Sequence, residues 1–204
     1  MARKTKAEAA ATREALLDAA EEVFFSKGVA RTSLEQIARH AGLTRGAVYW
    51  HFKNKGDLFM ALIERVRMPF QSLMEEVHNK ADTNISPLEA IRLACYAGLD
   101  HIEQPSRQRI LSILLHRCEF FSDINPLEMQ DDIGEECFDE MLAVFRVAHE
   151  QQLLREDLSP EIATRLMQSA LGGLFHDWLR TPEAFSIREQ GGEIIDALIY
   201  LMKR

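Results

Sequence analysis

Residues 33–55 read S-L-E-Q-I-A-R-H-A-G-L-T-R-G-A-V-Y-W-H-F-K-N-K. Ser33 and Gln36 have the spacing of a capping box, as do Thr32 and Glu35, and Leu34, Ile37, Ala38 and Ala41 form an apolar stripe behind them. A helix from Ser33 to about His40 follows, and Gly42 ends it, because a residue without a Cβ adopts the left-handed conformation that turns the chain. Thr44 then caps a second helix, Arg45 to about His51. Gly46 and Ala47 carry almost no side chain in its first turn, so a flat surface can approach its backbone. A helix that only packs would repeat apolar residues every three to four positions. Here Ala47, Val48 and Phe52 alone do so, and the consecutive Tyr49, Trp50 and His51 point in different directions, so that at least one stays outside. The geometry is that of a helix-turn-helix, whose second helix enters the major groove with its N-terminal residues at the base edges.

With its flanks, T-S-L-E-Q-I-A-R-H-A-G-L followed by T-R-G-A-V-Y-W-H-F-K-N-K resembles the DNA-binding head of TetR-type transcriptional regulators. It is most similar to the branch that represses multidrug efflux pumps, the AcrR and TtgR type. The opening M-A-R-K-T-K, the T-R-E-A-L-L-D-A-A near residue 12 and the later H-R-C-E-F also look like that branch. The match is dense from residue 1 to about 65 and then thins to islands such as 117–120 and 173–179.

Charge supports a head and a body. Residues 1–67 hold 12 Lys and Arg against 8 Asp and Glu, and residues 68–204 hold 12 against 24; the balances of +4 and −12 together make the net −8 of the 204-residue chain. A basic head orients an encounter with a polyanion, and an acidic body is repelled from it. We therefore expect a DNA-binding domain over 1–67 and a ligand-binding and dimerisation domain over 68–204. No apolar run reaches the length of about 18 residues that a membrane helix needs, and the first residues are polar and basic, so neither a membrane partner nor a secretory signal is expected. Cys95, Cys118 and Cys137 are an odd number without C-x-x-C spacing. They read as free thiols in a reducing cytoplasm, and no metal or cofactor is expected.

The remaining chain reads as all-α, about nine helices in total. Met1 to Lys6 reads as a mobile arm, for which phosphate or minor-groove contact and a solubilising terminus are both open. A first helix from about Glu8 to Lys27 buries Leu16, Leu17, Ala20, Val23 and Phe24. Asn54 and Asp57 open a fourth helix through Leu58, Phe59, Leu62, Ile63 and Val66, which Pro69 either kinks or ends. Ser86-Pro87 and Ser159-Pro160 each place a cap before a proline at the first helical position. Helices to about Glu103 and Leu179 follow from them, with further helices from Ser106 to about Phe120, from about Leu127 to Gln152, and from Ser186 onward.

From the residues and the resemblance together, phosphate contacts fall to Arg3, Lys4, Lys6, Arg31, Thr32, Thr44, Lys53 and Lys55, with Tyr49 and His51 as additions, and Ser33 and Trp50 complete the DNA-binding set. Base reading falls to Arg45 with the Gly46–Ala47 surface, aided by Tyr49. The last two helices carry apolar surface for half of a four-helix bundle, Leu166, Ala170, Gly173, Leu174, Asp177 and Trp178 on one and Ile195, Leu198, Ile199 and Met202 on the other. The resemblance implies that they form a homodimer interface; inward packing within one chain is the alternative. Gln168, Leu171, Gly172 and Phe175 share a helix face suited to a flat apolar molecule, and Cys95, Leu99, Leu111, Leu115, Phe138 and Leu142 could complete that pocket. The resemblance implies a small hydrophobic inducer there.

The expected activity is thus a repressor, released from a palindromic operator in double-stranded DNA by its ligand. A TetR-type regulator of another pathway, activator or metabolite sensor, is the alternative. His101, His116, Cys118, Glu119, His176 and Asp177 form no nucleophile motif, so an enzyme is not expected.

Overall fold

The computed structural model describes residues 5–80, 85–119 and 125–204. Among these, ten α-helices and one wider π-type turn account for nearly all regular structure. Among the described residues, the only β-type pairing is an isolated bridge, Leu154 with Lys203. The chain divides into two compact units, Met1–Arg67 with Ser106–Met129, and Met68–Pro105 with Gln130–Arg204. The stretch 106–129, which the sequence reading leaves with the body, therefore belongs to the unit that holds the helix-turn-helix.

In the first unit, α1 (Lys6–Lys27), α2 (Leu34–His40), α3 (Arg45–His51) and α4 (Lys55–Glu64) follow one another. α1 starts two residues before the expected Glu8, because Thr5 and Glu8 form a capping box: the Thr5 amide donates to Glu8 Oε2 at 2.7 Å, and the Glu8 amide to Thr5 Oγ1 at 3.2 Å. All five apolar residues assigned to its core face are buried. Phe24 meets Phe59 of α4 edge to face, with centroids 5.9 Å apart, and Ile37, Val48 and Leu58 close the core around them without solvent exposure. Removing one such side chain from water is worth about 1.5–3 kcal/mol, so a handful of them stabilises a head this small.

The turn between α2 and α3 is a Schellman motif. The Leu43 amide donates to the Ala38 carbonyl at 2.8 Å and the Gly42 amide to Arg39 at 3.1 Å, with Gly42 at φ +68°. Thr44 then caps α3, its Oγ1 accepting from the Ala47 amide at 3.2 Å. After Glu64 the helix stops. Pro69 carries no N–H and disfavours helical backbone at Met68, and its own carbonyl accepts from Ser72 (3.0 Å), opening a new helix. Of the two readings of Pro69, the break is what forms, and it supplies the tenth helix.

α7 (Pro105–Ser112) begins at Pro105 itself rather than at Ser106. With the π-type turn Ile113–Arg117, it completes the first unit. There the Arg109 guanidinium meets Glu21 of α1, with Nη2 and Nε at 2.5 and 2.6 Å from Oε1, while the Ser106 hydroxyl donates to Oε2 at 2.6 Å.

The second unit contains α5 (Phe70–Lys80), α6 (Pro87–Ile102), most of α8 (Pro126–Glu150), α9 (Pro160–Arg180) and α10 (Ile187–Met202). α6 lies between α5 and α10, and α10 also packs on α9. The crossing with α6 is close because α10 presents Gly191 and Gly192: a Cβ at Gly191 would stand 2.9 Å from Leu99 Cδ1, and one at Gly192 2.8 Å from the Tyr96 hydroxyl. After α10, the Arg204 amide donates to the Leu153 carbonyl (2.9 Å) and the Arg155 amide to Met202 (3.0 Å), tying the chain to the α8–α9 loop.

Candidate nucleic-acid interface

α3 keeps one residue, Val48, fully buried, with Phe52 anchoring its end. The rest of its surface is offered outward. The Arg45 side chain is 74% exposed, Trp50 72% and Tyr49 45%, and the Trp50 ring stands edge-on to His51 with centroids 4.4 Å apart. Gly46 is exposed, and the nearest atom to a Cβ there is Thr44 Oγ1 at 3.9 Å. An open groove of about 750 Å³ runs beside this helix. Thr44, Gly46, Ala47, Trp50 and His51 form one wall, and the cap residue Thr5 with Lys6, Ala9 and Thr12 of α1 the other. Lys6, assigned by sequence to an arm, is thus the first residue of a helix flanking α3. Thr5, Ala9 and Thr12 escaped the sequence reading, although the T-x-x-E capping box would have started α1 early enough to place them on one face.

The cationic candidates divide. Arg31 and Lys53 are exposed, while Arg3 and Lys4 lie outside the described residues. Lys55 is not available in the expected way: its Nζ donates to the Val29 carbonyl at 2.8 Å and to Ala30 at 3.1 Å, and burial pushes its pKa down. It closes the α1–α2 loop. Thr32 also turns inward, 4% exposed, with its hydroxyl donating to Gly28 at 2.9 Å, which corrects its assignment to phosphate. Ser33 and Thr44 both cap helices through their oxygens.

Elsewhere on α3, Glu35 of α2 joins two side chains. Glu35 Oε1 accepts from the Tyr49 hydroxyl at 2.9 Å and lies 3.3 Å from Arg45 Nε, and the Arg45 guanidinium lies 5.4 Å from the centre of the Tyr49 ring. The backbone amide of Glu35 in the first turn of α2, and then the Tyr49 hydroxyl, hold this carboxyl below its usual range.

The ligand candidates are also redistributed. Leu111 and Leu115 sit in the first unit, the other eight in the second. There Leu99 and Cys95 are core residues of α6, and burial raises the Cys95 thiol to about 12. Gln168 is already engaged: its Nε2 donates to the Gly134 carbonyl at 2.5 Å, and its Oε1 accepts from Arg165 at 3.0 Å. It lines an open groove of about 580 Å³ between α8 and α9 with Phe138, Gln130 and the carboxylates Asp131, Glu135 and Asp139. The Arg165 guanidinium covers the Phe138 ring at 4.3 Å. Those three carboxylates were missed, although their spacing of four puts them on one helix face. Leu142 is buried, Leu171 and Phe175 are half-buried, and Gly172 faces open space.

Of the residues assigned to a dimer interface, Leu174, Trp178, Ile195, Ile199 and Met202 are buried within the single chain, at 9% exposure or less. This corrects their role: they hold α9 and α10 onto the rest of their unit. Leu166 (46%), Gly173 and Asp177 are exposed, and Ala170 and Leu198 are half-buried. The exposed apolar residues beside them, Ile162 (54%), Ile194 (38%), Tyr200 (80%) and Leu201 (60%), were not foreseen.

Among the described residues no three His, Cys, Asp or Glu side chains gather as metal ligands. His101, in the second unit, is paired with Glu76 at 3.0 Å, and His116, Cys118 and Glu119 belong to the first unit. No described helix is long and apolar enough to cross a membrane.

Comparison with known proteins accounts for this arrangement. Residues 16–62 match the model of bacterial regulatory proteins of the tetR family, and residues 86–204 match the C-terminal region of the MAATS-type transcriptional repressors. The HTH-type transcriptional regulator AcrR of Shigella flexneri is 34% identical over 98% of this chain and 93% of its own length. The structure of NalD, the secondary repressor of the MexAB-OprM multidrug efflux pump in Pseudomonas aeruginosa, superposes with a TM-score of 0.84 at 35% identity, covering 98% of this chain and 99% of that one. A complex of triclosan with SmeT, the repressor of the Stenotrophomonas maltophilia multidrug efflux pump SmeDEF, gives 0.80 at 34% identity, with 95% and 92% covered. The chain therefore belongs to the TetR family of bacterial regulatory proteins, which are transcriptional regulators rather than enzymes.

Proposed function

We propose that this chain is a cytoplasmic, homodimeric repressor of multidrug efflux pump genes, bound to a palindromic operator and released from it by a small hydrophobic ligand. The observation that carries the reading is the outward face of α3, where a helix too short to pack on its own offers Arg45, Tyr49 and Trp50 beside a nearly bare backbone. Phosphates would be met by Lys6, Arg31, Lys53 and the cap hydroxyls, and base edges by Arg45. A second copy would cover the exposed Leu166, Gly173 and Leu201 face of α9 and α10. Relatives that repress efflux pumps, one of them bound to triclosan, support the target and the ligand class.

Ligand and DNA would then compete through a shift in population, a coupling of about 1–3 kcal/mol reducing operator affinity some 5- to 150-fold. The test is a gel shift on the DNA upstream of the chain's own gene, with random duplex as competitor and triclosan as the probe ligand. Retention that survives competitor and yields to triclosan is expected, and Arg45→Ala should weaken specific binding by about 1–3 kcal/mol. Binding no stronger than to random duplex would remove the repressor reading for that promoter. Specific binding unaffected by triclosan would remove only this ligand.

A further inference from the structure

A carboxylate on a surface meant for DNA works against binding, since it repels the phosphates its neighbours attract. Glu35 stands there nonetheless, its side chain 36% exposed, and a single oxygen of it engages two side chains one helical turn apart on α3. Arg45 and Tyr49 are otherwise the most adaptable groups of that face. Left free, each would satisfy any passing phosphate.

The contact made by Arg45 is selective within the guanidinium. Its Nε lies 3.3 Å from Glu35 Oε1, so the carboxylate engages the Nε side of the group. A guanidinium held there leaves its end-on edge, Nη1 and Nη2, as two parallel donors for an incoming acceptor. That edge matches the O6 and N7 acceptors of guanine, the commonest bidentate base contact of arginine. The Tyr49 hydroxyl is likewise committed to Glu35 at 2.9 Å, and its ring lies 5.4 Å from the guanidinium carbon, limiting where the arginine can swing.

We propose that Glu35 is a specificity-determining positioning residue, which presents Arg45 end-on to a guanine edge and withholds Arg45 and Tyr49 from indiscriminate phosphate contacts. This rests on the reading of α3 as the recognition helix. A phosphate that seeks Nε or the Tyr49 hydroxyl must displace Glu35 first, whereas a guanine edge is met by Nη1 and Nη2 with those contacts intact. The carboxylate thus lowers affinity everywhere and lowers it most where the sequence is wrong.

The experiment uses the full-length chain and two DNA probes, duplexes enriched by the wild-type protein from a random library and a random-sequence duplex of the same length, read by fluorescence anisotropy across a salt series. Glu35→Ala should bind the random duplex more tightly, with a salt slope steeper by about one as Arg45 takes up a phosphate. Its preference for the enriched duplex should fall about tenfold, and re-selection should lose a guanine at one position in each half-site. Glu35→Gln keeps an acceptor for the Tyr49 hydroxyl without the charge and should fall between. Equal loss of both duplexes in Glu35→Ala, with an unaltered slope and preference in Glu35→Gln, would reduce Glu35 to a clasp between α2 and α3 and overturn the proposal. If the wild-type protein enriches no sequence, the recognition-helix reading itself fails, and this proposal with it; that failure is seen before any variant is made.

Discussion

Replacing Arg109 with alanine isolates one buried charge. Glu21 lies on α1 at 3% exposure, and its carboxylate is satisfied on both oxygens, by the Arg109 Nε and Nη2 donors at 2.6 and 2.5 Å and by the Ser106 hydroxyl at 2.6 Å. Truncation leaves the carboxylate in place with a single hydroxyl donor. Breaking a buried pair from one side costs about 3–5 kcal/mol, because the remaining charge has lost its compensation without regaining water. The Arg109 side chain is 43% exposed, so water can enter where it stood, and the low end, about 3 kcal/mol, is the better figure. At about 2–4 °C per kcal/mol for a chain of this size, the melting temperature should fall by about 6–12 °C. Thermal unfolding followed by circular dichroism, at one fixed protein concentration because oligomers melt concentration-dependently, measures it. The double variant Glu21→Met with Arg109→Met should recover most of the loss, since replacing both partners by apolar groups is often neutral. A fall below about 2 °C for Arg109→Ala, or a double variant worse than the single one, would refute the reasoning, as the cost would not then come from an uncompensated charge.

Three further outcomes are expected. Lys55→Ala should lower stability by about 1–3 kcal/mol, because a charged donor leaves the Val29 and Ala30 carbonyls, while the salt slope of DNA binding stays unchanged; a slope reduced by about one would return Lys55 to the phosphate contacts. Gly192→Ala would place a methyl 2.8 Å from the Tyr96 hydroxyl, forcing that ring away from Asp196, to which it now donates at 3.0 Å; a loss of about 1–3 kcal/mol in urea titration is expected, and Tyr96→Phe combined with it should relieve part of the strain. Burial raises Cys95 to about 12 and Cys118 and Cys137 to about 11, above the ordinary thiol value of 9.0, so all three stay protonated at pH 8 and should react far more slowly with a disulfide reagent than in the unfolded chain. Because these folded values are raised, the stability they contribute is complete below pH 9 and drains away between there and pH 11–12; stability that rose across that window would contradict the burial of the thiols.

The all-helical architecture was legible because its signals are local. Ser86-Pro87, Ser159-Pro160, the Gly42 turn and the Thr44 cap each act within a few residues, and the structure begins or ends helices at every one of them. The core face of α1 was legible for the same reason, since the 3.6-residue period places Leu16, Leu17, Ala20, Val23 and Phe24 together whatever lies beyond them. Where the local rule was two-sided, as at Pro69, the sequence left both a kink and a break open.

What the chain itself determined, then, is which stretches are helical, which face of each is apolar, and that α3 is too polar and aromatic to be filler. Only the tertiary structure decided how individual polar side chains are used. Lys55 looks in sequence like any exposed cation at a helix start, yet carbonyls more than two dozen residues earlier claim its ammonium. Glu21 looks like an ordinary surface carboxylate of α1 until Arg109, 88 residues on, closes over it. Trp178 and Ile195 advertise apolar area without saying whether a second copy or their own unit covers it; in the fold, their own unit does. The physical reason is common to all of these. Backbone propensity and periodicity act over one or two turns, whereas the partner of a long polar side chain depends on which distant segment the packed core brings within 3 Å of it.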